Sequence, residues 1–248
     1  MYSSTNLEAP ARVLAISAHP DDSELQAGAT LAKWAAAGAV VDLFVCTDGS
    51  KGTWKPEVAP EALVATREAE QATALELLGS SGTAHFGRWV DGELESGLDQ
   101  RSVVARVIRQ SRPDVVIGHD PWKRYRLHPD HRHAGLLAVE GIVAARDPHF
   151  FPEHGLAPHR PSVLLLHEAD EADHLETVSR AHLDAKLASL EAHVSQLEST
   201  MFIDDDDDGA QRAAFRQRIL DAAAVAVDPT ANPQPEVYGE AFKKMDDL

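Results

Sequence analysis

An α/β fold, a Rossmann-like and mainly parallel sheet flanked by helices, is predicted by three features of this 248-residue sequence. Short apolar runs alternate with helical patterns through about residue 167. Two of these runs, Val13-Leu14-Ala15-Ile16 and Val115-Val116-Ile117, are continuous rather than alternating, as in strands covered on both faces. A cluster of histidines and aspartates stands directly after each run, at the carboxyl end of a strand, where open α/β sheets bind ligands.

The elements follow in order. Residues 1–10 read as a flexible tail. A strand over Arg12 to Ser17 runs into the turn His19-Pro20-Asp21-Asp22, and a helix follows from Glu24, closed by Gly38 beyond its last turn. Val40 to Cys46 is a second strand, so a βαβ unit of about 35 residues implies parallel pairing. Pro60 can open the next helix and Gly79 end it. A short strand near Ala84 to Phe86 leads to Asp91-Gly92. Asp99 is the expected N-cap of a helix carrying Val103, Val104, Val107 and Ile108. After the strand Asp114 to Gly118 comes the stretch His119 to His131, then a helix over Asp130 to Ala145 and a strand over Ser162 to His167.

From His174 to Ser199 the spacing of Leu183, Leu187, Leu190, Val194 and Leu197 predicts an amphipathic helix. The run Asp204 to Asp208 reads as a solvated turn, because the spacing, glycine and terminal glutamate of a calcium loop are missing. A last helix over Ala210 to Ala224 and a Pro-rich tail complete the chain. One domain over 1–248 is expected, with 174–248 a helical portion packed on it.

The formal net charge of −17 argues against nucleic-acid and anionic-membrane partners. Cys46, the one cysteine, excludes an internal disulfide and a multi-cysteine zinc site, and suits a reducing cytoplasm. No stretch reaches the roughly 18 apolar residues of a membrane span, and the N-terminus lacks a basic region followed by an apolar one. A soluble, cytoplasmic protein is expected.

A hydrolytic zinc site takes three ligands of His, Asp or Glu type and leaves a position for water. His19 and Asp22 on one turn, joined by His131 from a second strand end, supply that set. Asp21 is then left beside the metal as a base. His128 lies three residues before His131, so both imidazoles face one side of a nascent helix, opposite that base. Asp130 can orient one of these two rings. Each cluster alone is ordinary turn chemistry, and Asp21-Asp22 alone could be a helix N-terminus. Two clusters, each following a parallel strand, predict a metal site.

Ala18-His19-Pro20-Asp21-Asp22-Ser23-Glu24 with His128-Pro129-Asp130-His131 resembles the PIG-L or LmbE-like family of zinc-dependent N-deacetylases. The likeness extends to Thr66-Arg67-Glu68-Ala69-Glu70, Asp91-Gly92, His193-Val194-Ser195-Gln196 and Tyr238-Gly239-Glu240-Ala241-Phe242. It departs at Gln26 and Ala29, where glycines are common. The resemblance implies zinc on His19, Asp22 and His131, Asp21 as general base, and His128 stabilising the oxyanion or protonating the leaving amine. It implies an N-acetylated sugar substrate of N-acetylglucosaminyl type, with acetate and an amine as products.

Arg67 is similar to an arginine that reaches substrate in relatives; a surface ion pair with Glu68 or Glu70 is its other reading. Asp91 can bind sugar hydroxyls or shape the Asp-Gly turn. Trp54, Trp89 and Trp122 fall in loops at strand ends, where an aromatic wall suits a sugar. Three alternatives stay open: iron(II) on the same donors, a thiol-conjugate amidase, and a metal- or ligand-binding homologue without turnover. The segment after His174 can pack on its own sheet or on another subunit, so a homo-oligomer is also open.

Overall fold

Leu14 and Ile16 point to one face of a central strand, Val13 and Ala15 to the other, and both faces are covered. The computed structural model describes residues 2–224 and 238–248. Among them are eight strands: β1 (Ser4–Thr5), β2 (Arg12–Ser17), β3 (Val40–Thr47), β4 (Ala84–Trp89), β5 (Val115–His119), β6 (Val163–His167), β7 (His174–Val178) and β8 (Tyr238–Met245). They form one sheet in the order β1-β7-β8-β6-β5-β2-β3-β4, parallel except for β8, which runs antiparallel to β6 and β7.

The helices are α1 (Asp22–Ala36), α2 (Pro60–Leu77), α3 (Leu98–Ser111), α4 (Pro129–Arg146), α5 (Arg180–Glu191) and α6 (Ala210–Ala223). On one face Val104 and Ile108 of α3 and Leu137 and Ile142 of α4 pack on Leu14, Ile16, Val116 and Leu164. On the other, Leu31 and Trp34 of α1 and Leu75 of α2 pack on Val13, Ala15, Val115 and Ile117. Burial of a side chain such as Leu31 or Ile142 contributes about 2 kcal/mol, before the entropy of ordering it is subtracted.

This layering positions the site. β2 and β5 are neighbours, paired in register from Val13↔Val115 to Ile16↔Gly118. The chain leaves β2 toward one face through α1 and leaves β5 toward the other through α4. The crevice between two such exits is where open α/β sheets bind ligands. Gly135 lets α4 sit close to that exit, because a Cβ there would come within 2.5 Å of the His119 carbonyl.

The structure corrects several expectations. Ser4–Thr5 pairs with β7 at the sheet edge, so the N-terminal segment is tied down. His174–Val178 is a strand whose backbone groups pair with β8 on one side and β1 on the other; the residues that set the helical spacing begin only at Leu183. The helix begins only at Arg180, where the Ser179 hydroxyl accepts from the His182 amide. It ends at Glu191, and a 3-10 turn covers Val194–Gln196. The N-cap of α3 is Gly97 rather than Asp99, which falls within the first turn. The end of the expected tail, Tyr238–Met245, is a strand between β6 and β7; the Pro-rich part before it lies outside the described residues. In the aspartate run, Asp207 accepts from the Gln211 and Arg212 amides, so that turn caps α6.

Candidate metal centre

His19 lies two residues past the end of β2 and is buried with Asp21 and Asp22. The turn is tight enough that the His19 amide donates to Asp22 Oδ2 at 2.8 Å. Asp21, the N-cap of α1, has φ 90° and ψ −25°, a left-handed conformation costly for a residue with a Cβ. Such strain persists where the surroundings over-determine it. Here the Asp21 amide donates to Gln71 Oε1 at 3.1 Å and Arg67 donates to the Pro20 carbonyl at 2.8 Å.

The three expected ligands converge. His19 Nδ1 lies 3.3 Å from Asp22 Oδ2, and His131 Nε2 lies 3.5 Å from Asp22 Oδ1. One donor atom from each of the three lies within 4.8 Å of the others, close enough to share a single cation. His19 Nε2 sits 3.1 Å from Asp130 Oδ2 and 3.3 Å from Asp91 Oδ1. A proton on Nε2 therefore leaves the Nδ1 lone pair toward Asp22, the carboxylate–histidine–metal arrangement of many metal sites. The donor set, two imidazoles and a carboxylate, fits a divalent metal cation.

Asp130 thus orients an imidazole, but that of His19 rather than of His128 or His131. It is fully buried beneath the Gly92 and Leu94 amides, which donate to it at 2.6 and 3.2 Å, and this turns its carboxylate toward β2. His128 caps α4 from the exposed side; its ring lies 4.6 Å from that of His19 and stacks 5.0 Å from that of His131. Asp21, Arg67, Asp91 and His128 share one cavity of about 500 Å³ with His19, Asp22 and His131.

Arg67 makes no surface ion pair. It is 3% exposed, donates to the Gly49 carbonyl at 2.9 Å, and has Nη2 3.5 Å from Asp21 Oδ2. Gly52 leaves room for it, because a Cβ there would push Arg67 Nη1 aside. Glu68 instead pairs with Arg88, and Glu70 accepts from Ser195. Trp54 lines the cavity. Trp89 packs on Phe44, and Trp122 borders a different cavity beside Lys243.

Electrostatics separate the two adjacent aspartates. Burial pushes the Asp21 carboxyl up to about 7, against the pull of the Arg67 guanidinium. Burial also pushes Asp22 up, but His131, His119 and His19 outweigh it and hold that carboxyl well below its usual range. One group suits a proton acceptor near neutrality, the other a permanent anionic ligand.

Several residues of the site were given no role by the sequence reading. His119, the last residue of β5, is fully buried, stacks 4.4 Å from His131 and places Nε2 3.4 Å from Asp22 Oδ2. Glu168, just past β6, has φ 57° and lies 3.6 Å from His119 Nδ1. Arg126 Nη1 bridges Glu168, at 2.6 Å, and His131 Nδ1, at 3.0 Å. The signal was present: His119 and His167 end apolar strands, and Glu168 follows the second of them. On the α1 side Gln71 donates to Glu24 at 2.5 Å, and burial raises that carboxyl to about 7. His193, fully buried nearby, is lowered by burial and by Arg67 to about 3.

The sequence profile of the PIG-L family, described as GlcNAc-PI de-N-acetylase, matches residues 14–142. The chain is 34% identical over 188 residues to the diacetylchitobiose deacetylase of Thermococcus kodakarensis, covering 75% of this chain and 70% of that one. It is 36% identical to a 1D-myo-inositol 2-acetamido-2-deoxy-alpha-D-glucopyranoside deacetylase of Kineococcus radiotolerans, over 56% of this chain and 46% of the relative. The chain thus spans about half the length of that second relative. The fold matches the N,N'-diacetylchitobiose deacetylase of Pyrococcus horikoshii with a TM-score of 0.80 at 28% identity, covering 96% of this chain and 84% of that one.

Proposed function

The chain belongs to the PIG-L family, and on that premise we propose that it hydrolyses the acetamide of an N-acetylglucosamine-type conjugate to acetate and a free amine. The observation that carries this reading is Asp21: a buried carboxylate beside the His19–Asp22–His131 triangle and outside it, raised to about 7. A site that merely stores metal has no use for a strained, unligated base.

His19, Asp22 and His131 would hold the metal, which when bound polarises the amide carbonyl and acidifies water. Zinc suits these donors, and iron(II) takes the same two histidines and one carboxylate. Asp21 accepts the proton of the attacking water as the new C–O bond forms. His128, at the cavity mouth, stabilises the oxyanion or gives a proton to nitrogen as the C–N bond breaks. Arg67 holds Asp21 from behind and, with Asp91, reaches sugar hydroxyls along the cavity wall. Asp130 keeps His19 in its ligand tautomer.

The test is acetate and amine quantified after incubating metal-loaded protein with a panel of N-acetyl sugars and conjugates, with and without chelator. Equal amounts of both products, lost on chelation, are expected. Amine without acetate from a thiol conjugate would assign the amidase instead, and no product from any substrate would leave a binding protein.

A further inference from the structure

On the cavity wall the loop after β3 carries Trp54, and Phe202 stands beside it outside the lining; the mechanism uses neither ring. Trp54 lines the same cavity as His19, Asp21 and Asp22, yet it is 62% exposed. Phe202, 61% exposed, lies with its ring centroid 6.4 Å from that of Trp54 and tilted by 52°. We propose that Trp54 and Phe202 form a second subsite, stacking on the C–H face of the ring joined to the N-acetylglucosamine, and so select a two-ring conjugate over the free monosaccharide. This rests on the deacetylase reading above.

Both rings are held outward by their neighbours. The Gly52 carbonyl accepts from Gln196 Nε2 at 2.9 Å and Ser199 Oγ at 3.3 Å, and Lys55 Nζ reaches Asp205 at 2.7 Å. The loop carrying Trp54 is thereby tied to the segment carrying Phe202. Phe202 itself has φ 60°, an outlier for a bulky side chain. Its neighbours Met201 and Ile203 are buried against Leu187, Leu190 and Phe215, so the turn between them drives the ring into solvent. The Arg218 guanidinium packs 5.8 Å from the Phe202 centroid and 5.6 Å from that of Phe215, bracing the ring from below.

An exposed aromatic pair beside a polar cavity is apolar surface that a ligand ring can cover. An aromatic face carries negative charge density and attracts the C–H edge of a saturated ring, while Lys51, Thr53, Ser199 and Thr200 line the same cavity. The cavity of about 500 Å³ falls within the range, about 300–1,000 Å³, of sites that enclose drug-sized ligands. A second pyranose and a cyclitol present the same C–H face, so the experiment separates them.

Steady-state acetate release is compared for N-acetylglucosamine, N,N'-diacetylchitobiose and N-acetylglucosaminyl-inositol, using wild type, Trp54→Ala, Trp54→Phe and Phe202→Ala. One two-ring substrate is expected to exceed the monosaccharide in kcat/KM by at least tenfold. Trp54→Ala should cut that ratio about tenfold, mainly through KM, with Trp54→Phe retaining most of it. An unchanged ratio, or equal losses on all three substrates, overturns the subsite. Affinity measured calorimetrically on Asp21→Asn protein, with and without Trp54→Ala, carries the same prediction without turnover. Equal affinities there sink the subsite even if hydrolysis stands; a Trp54-dependent affinity with no acetate from any protein sinks the deacetylase reading and keeps the subsite.

Discussion

His19 Nε2 lies 3.1 Å from Asp130 Oδ2 across 111 residues of sequence, tying the exit of β2 to the first turn of α4. Asp130 also accepts from the Gly92 and Leu94 amides, so one buried carboxylate fixes a metal-site imidazole and the loop bearing Asp91. Asp130→Asn keeps the shape and removes the charge. It should weaken metal binding about 10- to 100-fold, the usual effect of losing such an outer partner. Competition with a chromophoric chelator measures this; unchanged affinity would show that the His19–Asp130 contact does not support the ligand.

Removal of the metal should lower stability as well as activity. The triangle binds the cation only when folded, so loading at about 100 times Kd should add roughly 2.7 kcal/mol. Differential scanning calorimetry of chelated and zinc-loaded protein should show a higher, zinc-concentration-dependent Tm. Coincident transitions would argue against a metal held by His19, Asp22 and His131.

Far from the site, Glu176 is buried on β7 and accepts from Lys33 Nζ at 2.7 Å, the Leu7 amide at 2.7 Å and His174 Nε2 at 2.8 Å. Burial pushes its carboxyl up, but His174, Lys33 and the Leu7 amide outweigh it and lower the pKa below the usual 4.5. A folded-state pKa below the unfolded one stabilises above the unfolded value and loses that stabilisation as pH falls through the folded one. Glu176→Gln should therefore cost about 2 kcal/mol at pH 7. The deficit should shrink below about pH 4.5. Urea denaturation at several pH values checks this; a deficit independent of pH would assign the loss to packing.

Both central strands and their helices were legible because each signal is local: a continuous apolar run, then a turn residue, as in Val13–Ile16 or Val115–Ile117. What escaped depends on pairing between distant segments. Tyr-Gly-Glu-Ala-Phe-Lys-Lys-Met carries no strand pattern of its own and becomes β8 because β6 and β7 offer unpaired edges on both sides. His174–Val178 precedes the helical spacing that begins at Leu183, and pairing with β1 and β8 makes it a strand.

The ligand candidates were legible because His19, Asp22 and His131 lie in compact motifs at strand ends. Their supports were not, since sequence spacing cannot tell which carboxylate meets which ring. Asp130 adjoins His131 in sequence yet reaches His19 in space, and Glu168 meets Arg126 across 42 residues.

Asp21 is where the account is most exposed. If it is the proton acceptor, Asp21→Asn should keep its metal and its affinity for an N-acetylglucosamine conjugate, because Asn tolerates φ near 90° and Asp21 stands outside the ligand triangle. Its kcat should fall by about 10²–10⁴, the usual contribution of a general base. The decisive measurement is acetate release by Asp21→Asn and wild type at equal, verified metal content. A loss of at least a hundredfold with metal retained is the predicted result; acetate formed at the wild-type rate would contradict the mechanism.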